Sequence, residues 1–302
     1  MAAFSRLSVT AKAIILMVLA MAALTSMDAL AKGLMTGYHP LQIVWVRFAS
    51  QLGLSLLFLA PRLNTVLRTS NPGVQFLRSA FIFSATMFFF FGISHLQLAT
   101  VAAIFEVGPL LITVLAFFIL GEQVGLRRWM GVLAGLIGAA IIIRPGSDAF
   151  TLAALLPLGA AASYAGFVIS TRMLALGESP WTSFLYTALF GTILASLIVP
   201  FVWQMPGLKD VPHMLAIGAF ASIGHYLLIR ALVLSEVSVL APFGYFGLLF
   251  NALWGFLFFA EVPNAFTLSG SIVIVAAGLY VWHRETSALG AQPISSSGPP
   301  PG

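Results

Sequence analysis

Apolar residues in this chain fall in long blocks, not in the 3.6-residue period of a surface helix or the alternation of a half-buried strand. Cutting at Pro, Gly and charge clusters leaves ten blocks of about 20 residues: 12–33, 39–60, 74–93, 97–120, 127–144, 150–171, 182–203, 213–232, 237–259 and 265–283. A helix of about 20 residues rises about 30 Å, the thickness of the hydrocarbon layer of a bilayer. Each block therefore predicts a membrane-spanning helix. The breaks, such as "TGYHP", "GEQVGLRR", "RPGSDA" and "AEVPN", are too short to fold as an aqueous domain. The first block follows Arg6 and Lys12 in the manner of a signal peptide. Its length, and the similar blocks behind it, predict a first span instead.

Composition agrees. The 302 residues are 60% hydrophobic and 8% charged, against roughly 25% charged in soluble domains. A soluble core of this size has no room for so much apolar surface. The predicted class is an all-α integral membrane protein of ten transmembrane helices. The chain has no cysteine, so disulfides and thiolate metal sites are excluded. Its net charge of +5 does not imply nucleic acid, because the basic residues are scattered singly through short loops. They serve orientation instead. With the N-terminus in the cytoplasm, the inner side collects ten of them (Arg6, Lys12, Arg62, Arg68, Arg78, Arg127, Arg128, Arg172, Arg230, Arg284) and the outer side three (Lys32, Arg144, Lys209). Both termini are thus expected in the cytoplasm.

The two halves match at an offset of 139 residues, where "GPLLITVLAFFILGE" (108–122) lies over "GLLFNALWGFLFFAE" (247–261). Each window is the fourth helix of a five-helix unit. Five is odd, so the second unit enters the membrane upside down, and inverted repeats place a binding site near the midplane between them. The expected organisation is a cytoplasmic N-terminus (1–11), a first repeat (12–146), a second repeat (150–284) and a Ser/Gly/Pro-rich disordered tail (285–302).

Three stretches carry a family resemblance: "LGEQVGLRRWMGVLAGLIGAAIIIRPG" (120–146), "FFAEVPNAFTLSGSIVIVAAGLYVW" (258–282), and "MDALAKGL" with "HPLQIVWVRF" near the start. The layout resembles the EamA-type members of the drug/metabolite transporter superfamily over roughly residues 10–284. The resemblance implies a multi-pass carrier of the bacterial inner membrane with a central cavity. It also implies small substrates such as amino acids, vitamins, nucleoside-like cofactors or opine metallophores, moved in either direction.

Ionisable groups at a helix centre cost about 2.5–3.5 kcal/mol each on insertion scales, and they face protein or a cavity. Asp28, Arg47 and Glu106 are such groups. Asp28 and Arg47 differ in depth by only about 5 Å, which permits a salt bridge across the first hairpin. Either that pair neutralises itself and fixes packing, or Arg47 binds a substrate carboxylate or gates. Glu106 lies near the middle of the fourth block, beside Pro109, which removes a backbone donor and predicts a bend. An acid there without a cation alternates between protonated and charged forms, as a proton-coupling or amine-binding group must. The alternatives are a packing carboxyl or a pair with Arg47. At the 139-residue offset Tyr245 stands opposite Glu106 and Tyr186 opposite Arg47, with Pro242 supplying a second break. Asn251 and Trp254 follow on the same helix as Tyr245. His225 lies deep in the eighth block, where either a backbone hydrogen bond or a proton role is open to it.

Arg78 and Arg230, close to helix ends, are expected to snorkel, and Glu122 and Glu261 to be structural. The run "FFFF" (88–91) cannot face one side of a helix. "GVLAG" (131–135) permits close helix packing, inside the bundle or in a homodimer. No cofactor or metal is expected, since the five histidines are dispersed and neither HExxH nor GxxxxGK[ST] occurs. The reading is a secondary carrier of a small polar or amphipathic metabolite, working by alternating access with proton coupling or exchange. A passive channel and an intramembrane enzyme are the rivals.

Overall fold

The computed structural model describes residues 8–121, 124–148, 150–174, 179–235, 240 and 243–290. Glu122, Pro242 and the tail beyond Gly290, all singled out above, lie outside them. Eleven helices carry the fold: α1 (Val9–Leu34), α2 (Pro40–Leu59), α3 (Pro72–His95), α4 (Leu98–Phe105), α5 (Gly108–Leu120), α6 (Leu126–Ile143), α7 (Leu156–Leu174), α8 (Pro180–Ile198), α9 (Val211–Leu234), α10 (Phe246–Phe259) and α11 (Ala265–Gly290). No strand occurs among the described residues. Starts follow local chemistry. The Ser8 hydroxyl accepts from the Ala11 amide at 3.1 Å, and Pro40, Pro72 and Pro180 open α2, α3 and α8 where an amide has no helical partner.

Eight helical stretches, one of them α4 with α5, are long and apolar enough to cross a membrane, and α6 and α10 contain two shorter apolar stretches. α10 is short because the chain breaks at Tyr245. Its 14 residues rise about 21 Å.

The packing follows the 139-residue offset. That offset carries α1 onto α7, α2 onto α8, α3 onto α9 and α6 onto α11. The main helix contacts then exchange in pairs: α1 packs on α9 as α7 packs on α3, while α2 meets α8 and α6 meets α11. Each of these contacts joins the first half to the second. Even the helix ends correspond. α5 closes on Gly121 at φ 67° and α10 on Ala260, its offset equivalent, at φ 52°. Ala260 accepts a left-handed conformation that costs a Cβ residue about 1–2 kcal/mol, and the Glu261 amide closes the turn on the Gly255 carbonyl at 3.0 Å.

Small residues set the α6–α11 seam. A Cβ on Gly138 would meet the Gly270 carbonyl and Ile274, and one on Gly131 would meet Val281 beside the Ala277 carbonyl. These contacts are related by the offset, so the small-residue face of "GVLAG" packs inside the bundle. The phenylalanine run spreads round α3 as its length demands. Phe90 is buried, Phe88 is exposed, and Phe91 meets His39 edge-on.

Arg78 corrects an expectation. It does not snorkel but is buried, because other helices supply acceptors for its guanidinium. Nε donates to the Thr171 hydroxyl at 2.7 Å, Nη1 donates to the Ser183 carbonyl at 2.9 Å and the Thr187 hydroxyl at 2.7 Å, and the Phe167 ring lies beneath. Gln75 adds a bond to the Ser183 hydroxyl. These contacts tie α3 to α7 and α8.

Gly138→Val should cost about 1–3 kcal/mol through overpacking. Gly53→Ala, which meets nothing within 4 Å in mid-α2, should gain about 0.5–1 kcal/mol. Thermal unfolding of the purified variants checks the pair.

Candidate functional site

Two polar clusters lie at mid-depth in the bundle. The first is built on α1, α2, α3 and α10. Asp28 and Arg47 are both buried, and each is electrostatically coupled to the other. Yet no nitrogen of Arg47 lies within 4.0 Å of a carboxylate oxygen among the described residues. Arg47 Nη1 donates to the Thr86 hydroxyl of α3 at 2.7 Å, its guanidinium lies 4.6 Å from the Phe48 ring centroid, and its Nε has no partner. Asp28 has the Asn251 side chain beside it, while Asn251 Oδ1 is left unsatisfied. The direct salt bridge permitted by sequence is therefore replaced by an opened pair, each partner beside a neutral side chain. One turn along α2, Gln51 is buried with both amide atoms unpartnered. Uncompensated buried groups are expensive, and their concentration here suits a site that meets a polar ligand or water.

The second cluster surrounds Glu106. α4 ends at Phe105 and α5 begins at Gly108, so Glu106 and Val107 form a break in the middle of one span. Pro109 has no amide for the Phe105 carbonyl. Glu106 is half-buried, with Tyr164 of α7 and Tyr245, at the break before α10, both within electrostatic range. Gly108 leaves the space against which the Tyr164 ring packs, and Gly278 does the same for the Tyr245 hydroxyl. Phe89, Phe105, Tyr164 and Phe167 form a chain of rings with successive centroids 5.4, 5.3 and 5.9 Å apart. Arg47 makes no contact with Glu106, which leaves the carboxyl without a cation among the described residues.

The remaining sequence candidates divide. His225 Nδ1 donates to the Ala221 carbonyl at 2.8 Å, and its ring faces Phe184; electrostatically it senses Arg47. Trp254 Nε1 donates to the Thr25 hydroxyl of α1 at 3.1 Å, below Asp28. Tyr186 is turned elsewhere, its hydroxyl donating at 3.0 Å to the Leu67 carbonyl of the α2–α3 connection. Sequence reasoning missed Thr86, Gln51 and Tyr164. Thr86 had a signal, since it falls on His225 at the 139-residue offset. Tyr164 falls on Thr25 and had none.

A third constellation closes one end of the bundle. Lys32, near the end of α1, pairs with Glu261 beyond α10 at 2.5 Å and donates to the Leu96 carbonyl at 2.6 Å. Glu261 Oε2 accepts from the Leu98 amide at 2.8 Å, capping α4. Close by in sequence, Tyr38 donates to Asp210 at 2.6 Å, and Gln42 exchanges two bonds with the Gln204 backbone. The bond to Asp210 holds the half-buried Tyr38 phenol above its ordinary pKa. Glu261 thus joins the two halves.

An apolar bundle with polar groups enclosed at mid-depth, and both ends tied between the halves, is the build of a multi-pass membrane protein. The chain belongs to the EamA-like transporter family, whose model matches twice, at residues 11–144 and 151–282. It is 26% identical over 262 residues to an S-adenosylmethionine uptake transporter of Rickettsia bellii, covering 87% of this chain and 90% of that one. It is 28% identical to a riboflavin transporter of Brucella anthropi (84% and 92% covered). A pseudopaline exporter of Pseudomonas aeruginosa is 29% identical (87% and 93% covered). A protein of known crystal structure superposes with a TM-score of 0.63 at 18% identity, covering 92% of this chain and 99% of that chain, and so shares the fold. The protein is thus a transporter with multiple membrane-spanning helices.

Arg47→Met leaves Asp28 buried beside a neutral side chain and should destabilise by about 3–5 kcal/mol. Adding Asp28→Asn should recover much of that loss. A double-mutant cycle on thermal unfolding measures the coupling, and additive losses would mean that the two charges do not interact.

Proposed function

We propose that the protein is a secondary active carrier that moves a small amphipathic metabolite by alternating access between two inverted five-helix repeats. The observation that carries this reading is Glu106. It is a half-buried carboxyl at a helix break, with two tyrosines in its cluster and, among the described residues, no cation in contact. A carboxyl so placed exchanges a proton or holds a substrate ammonium, and a helix already broken there lets the two halves of the span move separately. With α6 and α10 counted as spans, the arrangement proposed is ten helices with both termini on one side, the cytoplasmic one by the distribution of Lys and Arg. Arg47, held by a threonine and not by a carboxylate, is the group that receives a substrate anion. The ring chain from Phe89 to Phe167 suits a planar moiety. The S-adenosylmethionine, riboflavin and pseudopaline named for the relatives suit a chain whose two polar clusters offer an acid, a base and aromatic faces.

The Lys32–Glu261 pair serves as the gate at one end. It holds α1, the start of α4 and the end of α10 together, and its release is one step that separating the halves there requires.

Counterflow in proteoliposomes with a panel of S-adenosylmethionine, riboflavin and an opine identifies the substrate class. Under an imposed proton gradient, Glu106→Gln should lose pH-dependent uptake while still inserting and folding. Wild-type rates at every pH would remove Glu106 from the mechanism, and an absence of uphill uptake in the wild type would identify a facilitator. For the gate, the chain's lack of cysteine makes Thr25→Cys a clean reporter. Its labelling by a water-soluble maleimide should rise several-fold when Lys32→Met is added, and unchanged labelling would mean the pair is only a brace.

A further inference from the structure

Seven buried side-chain nitrogen and oxygen atoms among the described residues lack a hydrogen-bond partner, and four of them lie in the cluster around Arg47. They are Arg47 Nε, both amide atoms of Gln51 and Asn251 Oδ1. Arg47, Gln51 and Asn251 are 5%, 1% and 4% exposed, and Asp28 is 8% exposed, so bulk water does not serve them. Bare buried atoms are costly, and a concentration of them marks a place where something else completes the bonding.

These atoms are of two kinds, and helix packing holds them apart. On one side stands a cationic donor. Arg47 Nη1 donates to Thr86 Oγ1 at 2.7 Å, and Thr86 gives its own proton to the Ile82 carbonyl at 2.9 Å. The Phe48 ring centroid lies 4.6 Å from the guanidinium carbon, so the side chain is fixed with Nε unbonded. On the other side stand acceptors: the Asp28 carboxylate and, beside it, Asn251 Oδ1. Thr25 and Asp28 are three residues apart on α1, as Asn251 and Trp254 are on α10, so each pair shares a helix face. Trp254 Nε1 donates to Thr25 Oγ1 at 3.1 Å, which sets Asn251 at the level of Asp28. Arg47 and Asp28 sense one another electrostatically, yet no nitrogen of Arg47 comes within 4.0 Å of the carboxylate. A closed salt bridge would satisfy both charges and leave a ligand nothing to bond. The opened pair leaves a positive donor and negative acceptors close to one another.

Resting on the carrier reading above, we propose that this cluster binds the zwitterionic head of an α-amino acid, free or as part of a larger metabolite. Its carboxylate sits on Arg47 Nε, and its ammonium sits between Asp28 and Asn251 Oδ1. An α-amino acid carries a carboxylate and an ammonium on one carbon, the complement of the atoms left bare. Charge balance favours it over other guests. A zwitterion enters with no net charge and gives each buried charge an opposite partner, which offsets the desolvation of both. A simple anion adds negative charge beside Asp28, a simple amine adds positive charge beside Arg47, and a neutral ligand pairs with neither. Gln51, one turn along α2 from Arg47 on the same face, supplies a further donor and acceptor to the atoms next to the head. With the ammonium held here, Glu106 is left to exchange a proton.

Binding and transport are read separately. Full-length protein in detergent is titrated calorimetrically with S-adenosylmethionine and the free L-amino acids, each set against the amine that lacks its carboxylate. Riboflavin, which carries neither charge, is titrated beside them. At least one amino acid should bind, about ten-fold tighter than its amine, as loss of a charge-assisted hydrogen bond predicts. Asn251→Ala should weaken acid and amine alike by about ten-fold, because both carry the ammonium. The charge-balanced double variant Asp28→Asn, Arg47→Gln should bind the acid no better than the amine. Melting temperatures without ligand show that the variants fold. Equal affinity for acid and amine in the wild type, or wild-type affinities in a folded Asn251→Ala, would overturn the proposal, as would an undiminished preference in the folded double variant. Counterflow of riboflavin with no amino acid bound would overturn it too, while the carrier reading stands. An amino acid that binds with this preference but is not exchanged in proteoliposomes would support the site and count against the carrier reading.

Discussion

A polar group in hydrocarbon has no water to bond, so each one must find a partner inside the chain or meet a cavity. That constraint organises this protein. Where a group is fully served, it acts as a rivet. Arg78 is surrounded by acceptors from α7 and α8 and fastens α3 to them. Lys32 and Glu261 satisfy one another and two backbone groups as well, and they fasten the opposite strand of connections between α1, α4 and α10. Where a group is incompletely served, as with Arg47 Nε, Gln51 and Asn251 Oδ1, the bundle carries an energetic debt that a polar ligand or water relieves. Rivets at the ends and unpaired groups at mid-depth are what a carrier with a central site requires.

The architecture repeats and the chemistry does not. Under the 139-residue offset the helices, their contacts and even the left-handed ends at Gly121 and Ala260 correspond. The side chains at the centre diverge: Asp28 falls on Phe167, Arg47 on Tyr186, Asn251 on Ile112 and Glu106 on Tyr245. Charge is concentrated in one half, and rings occupy the equivalent places of the other. Symmetry of packing suits the proposed alternation between two arrangements of similar energy. Asymmetry of side chains gives the two polar clusters different chemistry, as the proposed recognition of a molecule polar at one end and flat at the other requires.

Much of this was legible in the residues. Block length against bilayer thickness predicts the spans, and the offset between "GPLLITVLAFFILGE" and "GLLFNALWGFLFFAE" predicts the repeat. Pro109 predicts the break at Glu106, because a missing amide is a local fact that no packing can restore. Glu106, Arg47 and Asp28 stood out because a charge in an apolar block is costly wherever the block ends up.

Partner choice was not legible, because it depends on rotation of each helix about its axis, and depth along the chain says nothing of that angle. Depth alone set Asp28 beside Arg47, and the structure gives Arg47 to Thr86 and Asp28 to Asn251 across other helices. Depth alone sent Arg78 to the surface, and packing supplied it with hydroxyls. Tyr186, matched to Arg47 by the offset, turned to the Leu67 carbonyl, whereas Tyr164, which carried no signal, came to lie against Gly108 beside Glu106. The sequence by itself determined which groups the membrane would not tolerate bare, since transfer cost belongs to the residue. Only the tertiary structure decided which neighbour covers each of them, since hydrogen bonds are made between helices far apart in the chain.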